Sequence, residues 1–343
     1  MKSRGTRLKI LILMIVLAVV LSIKWIRFQE ASIIPAGGFT YVVQPGTNLD
    51  QLTTDFEKYL HLQNPFLFKL YARLSGDAYA LKTGEYFLPA GSTTSQVFDK
   101  LVSGKVVYHA FTLVDGWNMY DVMSVLNKDR SIKHTLKRKS LRYIAKQMKL
   151  KHPSPEGLLY PETYYFTLHS TDLSILNRAH QAMLKHLNAA WAQRQSGLPY
   201  KNEYQALIVA SMVEKESALS KERPIIARVI LKRWKMWMPL QIDSTVIYGL
   251  EPFFSGKLRR SDLRKKTSYN TYTRYGLPPT PIAIPGADAI HAALHPVSTK
   301  ALYFVAKGDG SHHFSPTLAG QRKAIDRYLR KKQPTPNKGK TTS

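Results

Sequence analysis

The chain has 343 residues, of which 44% are hydrophobic and 11% aromatic, so it is long enough for two or three folded domains. Cysteine is absent, which excludes disulfide frameworks, thiol catalysis and zinc sites built on thiolates. The 50 lysines and arginines exceed the 23 acidic residues and give a net charge of +27, which predicts attraction to an anionic polymer or membrane surface. No nucleic-acid recognition motif accompanies this charge, so we expect a partner other than nucleic acid.

The first thirty residues predict a membrane anchor. The run 10–23 is apolar except for Ser22 and is bracketed by Lys9 and Lys24, and an anchor over residues 10–26 with snorkelling lysines comes close to the length that crosses a bilayer. A cleaved signal peptide is the alternative, but Lys24 and Arg27 stand where its small-residue cleavage site would be. Basic residues dominate positions 1–9, so the positive-inside rule predicts a cytoplasmic N-terminus, with everything after residue 30 outside the cytoplasm.

Residues 31–150 repeat one pattern three times: a short strand, a glycine turn, and a helix with apolar residues three or four apart. The three copies begin at Phe39, Glu85 and Ala110. The pattern predicts a small α+β region in which helices cover a short sheet. Structural packing is one interpretation of it, and glycan binding is the other, because the first copy resembles the LysM module that binds cell-wall sugars. The stretch 133–151 is basic and predicts a solvated helical face.

Residues 151–332 predict a second, mainly helical domain. Its aromatic segment 158–166 contains Glu162, and tyrosines in such a segment serve either as core or as a stacking surface for sugar rings. The spacing of apolar residues predicts one amphipathic helix from Asp172 to about Arg194, packed on a central helix. The tail 333–343 is rich in proline, lysine, glycine and threonine, which predicts disorder.

The central helix is predicted over Ala206–Ser217. Eight successive apolar or small residues leave it no polar face, so it belongs inside a domain, and it ends with Glu214 and Glu216. The last turn of a helix carries partial negative charge, which raises the pKa of a carboxyl group there, especially in apolar surroundings. Either glutamate is therefore a candidate general acid.

The segments after the central helix predict the walls of a cleft. Glu222-Arg223-Pro224 opens a second helix, and Asp243 is predicted to cap a short helix that ends at Gly249. The proline-rich stretch 276–286 predicts a rigid ordered loop. A helix over 289–294 and a hairpin over 302–314 are predicted to follow.

The residues do not form an obvious two-carboxylate active site. Glu214 and Glu216 point about 200° apart around a helix, so they cannot share one scissile bond. A glycosidase would therefore take its second carboxylate from elsewhere, with Asp243 and Glu162 as candidates. The sequence lacks a phosphate loop and a nucleophile elbow, and the histidines lack the spacing of metal ligands, so neither a metal nor a cofactor is expected. The remaining candidates for a site are one acid on the buried helix and several amides and tyrosines that could hold a sugar.

Five motifs occur in an order that resembles the endolytic murein transglycosylases of the YceG-like family. They are Ile208–Ser217, Glu222–Pro224, Leu240–Gly249, Tyr269–Tyr272 and Gly276–Pro279. The resemblance extends from the anchor to about residue 330. It implies a single-pass inner-membrane protein with a LysM-like subdomain and a catalytic domain similar to lysozyme-like transglycosylases, which cuts nascent peptidoglycan strands and leaves 1,6-anhydro-N-acetylmuramic ends. Peptidoglycan synthases are the implied protein partners.

The same resemblance assigns the residues. The family's catalytic glutamate falls on Glu216, which leaves Glu214 and Glu162 in supporting roles. Ser217 completes the Glu-Ser pair seen in related enzymes and is predicted to bind substrate. Ser244 stands where many relatives are expected to carry proline, and we expect little effect from it. The predicted sugar contacts are Gln241, Tyr269, Asn270 and Tyr272, each of which could instead be structural. Two other functions stay open: a non-catalytic wall-binding scaffold, and a muramidase that hydrolyses the same bond.

Overall fold

The structure, a computed structural model, describes residues 2–76 and 81–330. The contacts divide the chain into two units. The N-terminal unit contains the residues up to 109 together with 165–169, and the C-terminal unit contains 110–164 and the residues from 170 onward. Both units combine helices with two-stranded sheets, so the described chain is a mixed α+β protein, as predicted.

Helix α1, Lys2–Glu30, contains the predicted anchor. Its segment Gly5–Glu30 is 26 residues long and apolar enough to cross a membrane, and none of its most apolar window is buried. Such a helix is about 39 Å long, which exceeds the hydrocarbon thickness of about 30 Å. At its C-terminal end, Phe28 is buried and Trp25 contacts Tyr71, so this end packs on the N-terminal unit.

The N-terminal unit is built on an antiparallel pair of strands. Strand β1, Phe39–Val43, pairs with β2, Gly84–Leu88, so that Phe39 lies opposite Leu88 and Val43 lies opposite Gly84. Three helices cover the pair, and the rings of Phe56, Phe68 and Phe98 meet edge to face in the core between them. The elements are β1 Phe39–Val43, α2 Leu49–Leu60, α3 Pro65–Leu74, β2 Gly84–Leu88 and α4 Thr94–Ser103.

The repeated strand, turn and helix pattern is present at each of its three predicted places. The third copy consists of β3, Tyr108–Thr112, and α5, Met119–Leu126. Helix α3 lies between the first two copies and was not predicted, because its apolar residues surround it on most sides. The basic stretch 133–151 is helical only at α6, Leu141–Gln147, because its N-terminal part forms turns.

The C-terminal unit is mainly helical. Strand β4, Thr163–Thr167, pairs with β3. The hairpin predicted over 302–314 is present as β5, Tyr303–Ala306, and β6, His312–Ser315, with Tyr303 opposite Ser315. The remaining elements are α7 Asp172–Ala192, α8 Glu203–Glu216, α9 Arg223–Lys235, α10 Asp243–Tyr248, α11 Ala287–Leu294, β5 Tyr303–Ala306, β6 His312–Ser315 and α12 Leu318–Ile325.

Helix α8 is the centre of this unit, as its uniform apolar sequence predicts. Every residue from Ala206 to Val213 is buried, and α7, α9, α10 and α11 pack around the helix. The loop 276–286 also packs on it, because the Ile282 N–H donates a hydrogen bond of 3.0 Å to the Ser211 hydroxyl. The proline-rich loop is thus ordered against α8, where it approaches the C-terminal end of that helix.

The predicted capping role of Asp243 is wrong. Ile242 precedes the first helical residue of α10, so Asp243 is itself the first residue of the helix and its side chain makes no cap. The helix does end before Gly249, as predicted. The predicted disorder of 333–343 concerns residues outside the described ranges, and the predicted functional domains 31–150 and 151–332 stay predictions.

Candidate active site

Both candidate acids lie in the last turn of α8, where the buried helix reaches the surface of the unit. Asn202 caps the start of the helix by accepting the N–H of Gln205, and the helix stops at Ser217, whose backbone is extended. Residues 206–213 of α8 are all buried, so packing around the helix fixes the position of its C-terminal end. This fixes the backbone that carries Glu214 and Glu216.

Glu214 is bound within the protein. Its Oε1 accepts a hydrogen bond of 2.6 Å from Arg223, and its Oε2 accepts the N–H of Gly286 at 2.9 Å. The two side chains of the ion pair are only 9% and 6% exposed, for Arg223 and Glu214 respectively. Burial raises the pKa of Glu214, whereas Gly286 and Arg223 oppose that rise. These contacts use both carboxyl oxygens, which suits the predicted supporting role.

Glu216 has a different environment. Its Oε1 accepts one hydrogen bond of 3.0 Å, from the Ser244 hydroxyl on α10. Burial is the main cause that raises the pKa of Glu216 to about 7; the Ser244 hydrogen bond opposes this rise, and the negative charge of Asp243 adds to it. A carboxyl group with a pKa near neutrality holds a proton and can also release it, which is the property of a general acid that later acts as a base.

Helix α10 brings a second carboxylate close to Glu216. Asp243 accepts a hydrogen bond of 2.6 Å from the Tyr272 hydroxyl, and its charge contributes to the raised pKa of Glu216. Burial also raises the pKa of Tyr272, and the hydrogen bond to Asp243 adds to the rise. The tyrosine therefore keeps its proton and holds the Asp243 carboxylate in one orientation.

An open cleft of about 510 Å³ lies at the end of α8. Glu216 lines it together with Asp115 from the turn before α5, so carboxylates lie on more than one wall. Lys215 donates a hydrogen bond of 3.0 Å to the Gly116 carbonyl, which ties this turn to α8. The lining residues are Asp115, Gly116, Glu214, Lys215, Glu216, Ser217, Ala218 and Arg223.

Ser217 lines the cleft but is 5% exposed, and its hydroxyl serves the turn between α8 and α9. It accepts the N–H of Leu219 at 3.1 Å and donates to Glu222 at 3.5 Å. Glu222 in turn accepts both the backbone N–H of His312, at 3.0 Å, and its ring Nδ1, at 2.7 Å. The buried Glu222 and His312 therefore fasten this turn to the β5–β6 hairpin.

The structure brings only some of the predicted sugar contacts to Glu216. The Tyr272 hydroxyl donates a hydrogen bond to Asp243, which is the carboxylate close to Glu216. Gln241 precedes Asp243 by two residues and is exposed. Tyr269 packs edge to face on Tyr248 and shares a hydrogen bond of 2.9 Å with Thr280, so it supports the core. Asn270 is fully buried, and its amide donates to the carbonyls of three residues, Asp262, Leu263 and Lys265.

Glu162 is exposed and is not among the residues that line the cleft. Sequence reasoning missed a different acid, Glu156, which is completely buried. Its Oε2 accepts the N–H of Met119 at 3.0 Å, whereas its Oε1 has no hydrogen-bond partner among the described residues. Burial raises the pKa of Glu156 to about 7, and its charge helps to raise the pKa of Tyr248. Its position between two prolines and a glycine resembled an ordinary loop.

Within residues 2–76 and 81–330, no group of three or more His, Cys, Asp or Glu side chains is arranged to hold a metal ion. The site of Glu216 is thus a set of carboxyl, hydroxyl and basic side chains. Its parts can donate a proton, accept one, and form hydrogen bonds with a hydroxyl-rich ligand.

Comparisons with known proteins find similarity over most of the chain. The chain is 29% identical to the endolytic murein transglycosylase of Bacillus subtilis (strain 168) over 311 residues, or 84% of each chain. It is 26% identical to the protein of that name in Streptococcus pneumoniae (strain D39) over 304 residues, which are 78% of this chain and 54% of that protein. A crystal structure of a YceG-like protein from Listeria monocytogenes superposes with a TM-score of 0.50 at 26% identity, covering 83% of this chain and 98% of the other.

A sequence model of the YceG-like family matches residues 41–327. Since that match spans most of the chain, the protein belongs to the YceG-like family.

Proposed function

We propose that this protein is a peptidoglycan lytic transglycosylase that cuts glycan strands internally at the bond between N-acetylmuramic acid and N-acetylglucosamine. The observation that carries the proposal is Glu216, a carboxyl group with a pKa of about 7 that lies at the end of a buried helix and lines an open cleft. The relatives that cover most of this chain bear the name endolytic murein transglycosylase. The reaction needs no cofactor.

The mechanism uses the two protonation states of Glu216 in turn. Protonated Glu216 donates its proton to the glycosidic oxygen, and the bond from that oxygen to the anomeric carbon of the muramic acid breaks. The 6-hydroxyl oxygen of the same sugar then bonds to the anomeric carbon, and its proton passes to the Glu216 carboxylate. The products are an N-acetylglucosamine end with a free hydroxyl and a 1,6-anhydro-N-acetylmuramic end, and Glu216 is protonated again.

The surroundings of Glu216 support this cycle. Burial and Asp243 keep the acid protonated near neutral pH, and the Ser244 hydroxyl stabilises the carboxylate that forms when the proton leaves. The 2-acetamido group of the substrate can assist at the anomeric carbon in place of a protein nucleophile, as in other substrate-assisted enzymes. Ser217 adjoins Glu216, but its hydroxyl bonds within the turn between α8 and α9. Gln241 and Tyr272 are therefore the predicted sugar contacts best placed near this site, whereas Tyr269 and Asn270 would act by supporting its walls.

The same proposal includes the location and the finer fold. Helix α1 anchors the protein in the inner membrane with residues 1–9 in the cytoplasm, and the rest faces the periplasm, where glycan strands are made. The region 31–150 contains a LysM-like glycan-binding subdomain, and 151–332 is a lysozyme-like catalytic domain that works beside peptidoglycan synthases. The strand, turn and helix copies and the buried acidic helix are the features that favour these assignments.

Replacement of the acid tests the proposal. We expect Glu216→Gln to abolish formation of anhydro ends when the purified full chain digests glycan strands, because glutamine cannot donate the proton. Mass analysis of the strand ends is the measurement, and circular dichroism checks the fold. Glu162→Gln is the matched control, since that carboxyl is exposed and outside the cleft. Anhydro ends made by Glu216→Gln at the rate of the unmodified chain would falsify the assignment.

A muramidase is the second candidate, because Asp243 and Asp115 provide further carboxylates near Glu216. Hydrolysis would add water at the anomeric carbon and leave reducing ends. The same mass analysis distinguishes the two reactions, since an anhydro end is lighter than a reducing end by one water. A non-catalytic scaffold, in contrast, would bind the strands and produce neither kind of new end.

A further inference from the structure

Residues 252–266 form an exposed loop, here named the basic loop, that the proposed reaction does not use. It follows α10 and leads to the segment that carries Tyr269 and Tyr272, and it contains six basic residues against one acidic residue, Asp262. The six basic side chains are all exposed: Lys257, Arg259, Arg260, Arg264, Lys265 and Lys266. Such a density of one charge repels itself unless a partner of opposite charge is present.

The basic loop has a defined shape. Asp262 accepts the N–H of Arg259 at 2.9 Å and forms an ion pair of 2.7 Å with Lys265. The buried amide of Asn270 holds three carbonyls of the loop, the shortest contact being 2.6 Å to Lys265. Within the described residues, the other five basic side chains form no ion pair. The loop thus presents unpaired positive charges on an ordered backbone.

An aromatic residue projects from the same loop. Phe253 is 90% exposed, a larger fraction than for any of the exposed apolar side chains of α1, which lie between 43% and 68%. Isolated apolar residues on a surface are ordinary, but an exposed aromatic ring beside a cluster of Lys and Arg is typical of segments that lie in the interface of a membrane. There the ring enters the headgroup region while the cations contact lipid phosphates.

We propose that the basic loop binds the anionic surface of a lipid bilayer, with Phe253 inserted between headgroups. A lipid surface fits better than the glycan at the scissile bond, because no residue of the loop lines the cleft of Glu216 and because the charges are too many for one sugar unit. The attachment by α1 would keep the loop at a high effective concentration near the bilayer, so a weak contact suffices. The inference goes beyond the proposed reaction and depends only on α1 residing in a bilayer.

The absence of cysteine makes a direct test available. The full chain with Ser255→Cys is labelled with a polarity-sensitive dye and reconstituted in nanodiscs of equal parts phosphatidylglycerol and phosphatidylcholine, or of phosphatidylcholine alone. We expect emission at shorter wavelength in the anionic discs only, and loss of that shift in Arg259→Glu/Arg260→Glu. The shift should also vanish at about 1 M salt, where the Debye length falls to about 3 Å.

Matched controls isolate the loop. Dye at Ser196→Cys, in the exposed loop after α7, should show the same spectrum in both kinds of disc, and Lys137→Glu/Lys139→Glu removes equal charge elsewhere and should leave the Ser255 signal intact. Copurification with the discs verifies insertion of α1 in every variant. Any of three results would overturn the proposal. They are equal spectra in both kinds of disc, a shift that Arg259→Glu/Arg260→Glu leaves unchanged, and a shift that appears only after glycan strands are added. None of these readouts requires catalysis.

Discussion

At the scale of single residues, the hydrogen bond from Ser244 to Glu216 is the contact that the sequence concealed. The two residues are 28 positions apart, and serine in the first turn of a short helix is ordinary. The expectation that this position has little effect beyond the turn does not fit the contact. In this chain the hydroxyl bonds the proposed acid itself, and it favours the charged form of that acid.

Ser244→Ala should therefore change the pH dependence of the reaction. Without the hydroxyl the carboxylate of Glu216 is less stable, so its pKa rises and the acid stays protonated to higher pH. We expect the alkaline limb of kcat/KM to move upward by about one to two pH units, because a hydrogen bond to a charged group contributes roughly 1.5–3 kcal/mol. The measurement is a pH profile of anhydro-end formation. Ser244→Thr keeps a hydroxyl and should restore the original profile, and an unmoved limb in the alanine variant would exclude a role for Ser244 in tuning Glu216.

Glu156 makes a prediction about stability. Its pKa in the folded protein is about 7, whereas the ordinary value is 4.5, so the folded state binds the proton more tightly than the unfolded state does. Between these values the unfolded chain loses its proton first, and the free energy of unfolding falls as pH rises from 4.5 to about 7. The fall is on the order of 3 kcal/mol at most.

Glu156→Gln removes this titration. We expect the difference in the free energy of unfolding between the variant and the unmodified chain to shift in favour of the variant as pH rises from 5 to 8. Urea unfolding of the detergent-solubilised chain followed by tryptophan fluorescence measures the difference. Glu162→Gln is the exposed control, and a stability difference for Glu156→Gln that is the same at both pH values would contradict the argument.

At the scale of elements, the junction between α8 and α9 connects the core to the site. Arg223, the first residue of α9, binds Glu214 and also donates to the Ser217 carbonyl at 3.0 Å, so it joins the end of one helix to the start of the next. The sequence placed Glu214 and Glu216 on the same helix end without separating them. The structure separates them by their partners, because Glu214 has an arginine and a backbone N–H, and Glu216 has one hydroxyl.

Removing only one partner of the Glu214–Arg223 ion pair should lower the free energy of unfolding more than removing both charges does. Arg223→Ala leaves the Glu214 carboxylate buried without its partner, a change that usually destabilises a protein by about 3–5 kcal/mol. The double variant Glu214→Gln/Arg223→Ala should regain part of that loss, and a double-mutant cycle in urea measures the coupling.

Glu214→Gln alone should still produce anhydro ends, at a reduced rate, because Glu216 is retained. If instead Glu214→Gln eliminated the product while Glu216→Gln preserved it, the roles of the two acids would have to be exchanged. Strand-end analysis of both variants, prepared side by side, provides this comparison.

At the scale of the whole molecule, helix α1 and the basic residues near its start predict the location of the protein in the cell. Helix α1 is long enough to cross a bilayer, and the basic residues before it predict a cytoplasmic N-terminus. In a cysteine-free chain, Gly5→Cys should be protected from a membrane-impermeant thiol reagent in intact spheroplasts, and Ser196→Cys should react. Lysed spheroplasts serve as the control in which both react. Labelling of Gly5→Cys alone in intact spheroplasts would reverse the proposed orientation.

The sequence by itself determined the mixed α+β class, the apolar N-terminal helix, the central helix α8 and the family, because these depend on periodicity, composition and motif order along the chain. Only the tertiary structure decided which side chains meet Glu216. Folding brings together segments far apart in sequence, so that Ser244 bonds Glu216 and Tyr272 bonds Asp243. Folding also buries the amide of Asn270, which holds the basic loop. The physical reason is that the pKa of Glu216 depends on burial and on individual contacts over a few ångströms, and no pattern along the chain specifies these distances.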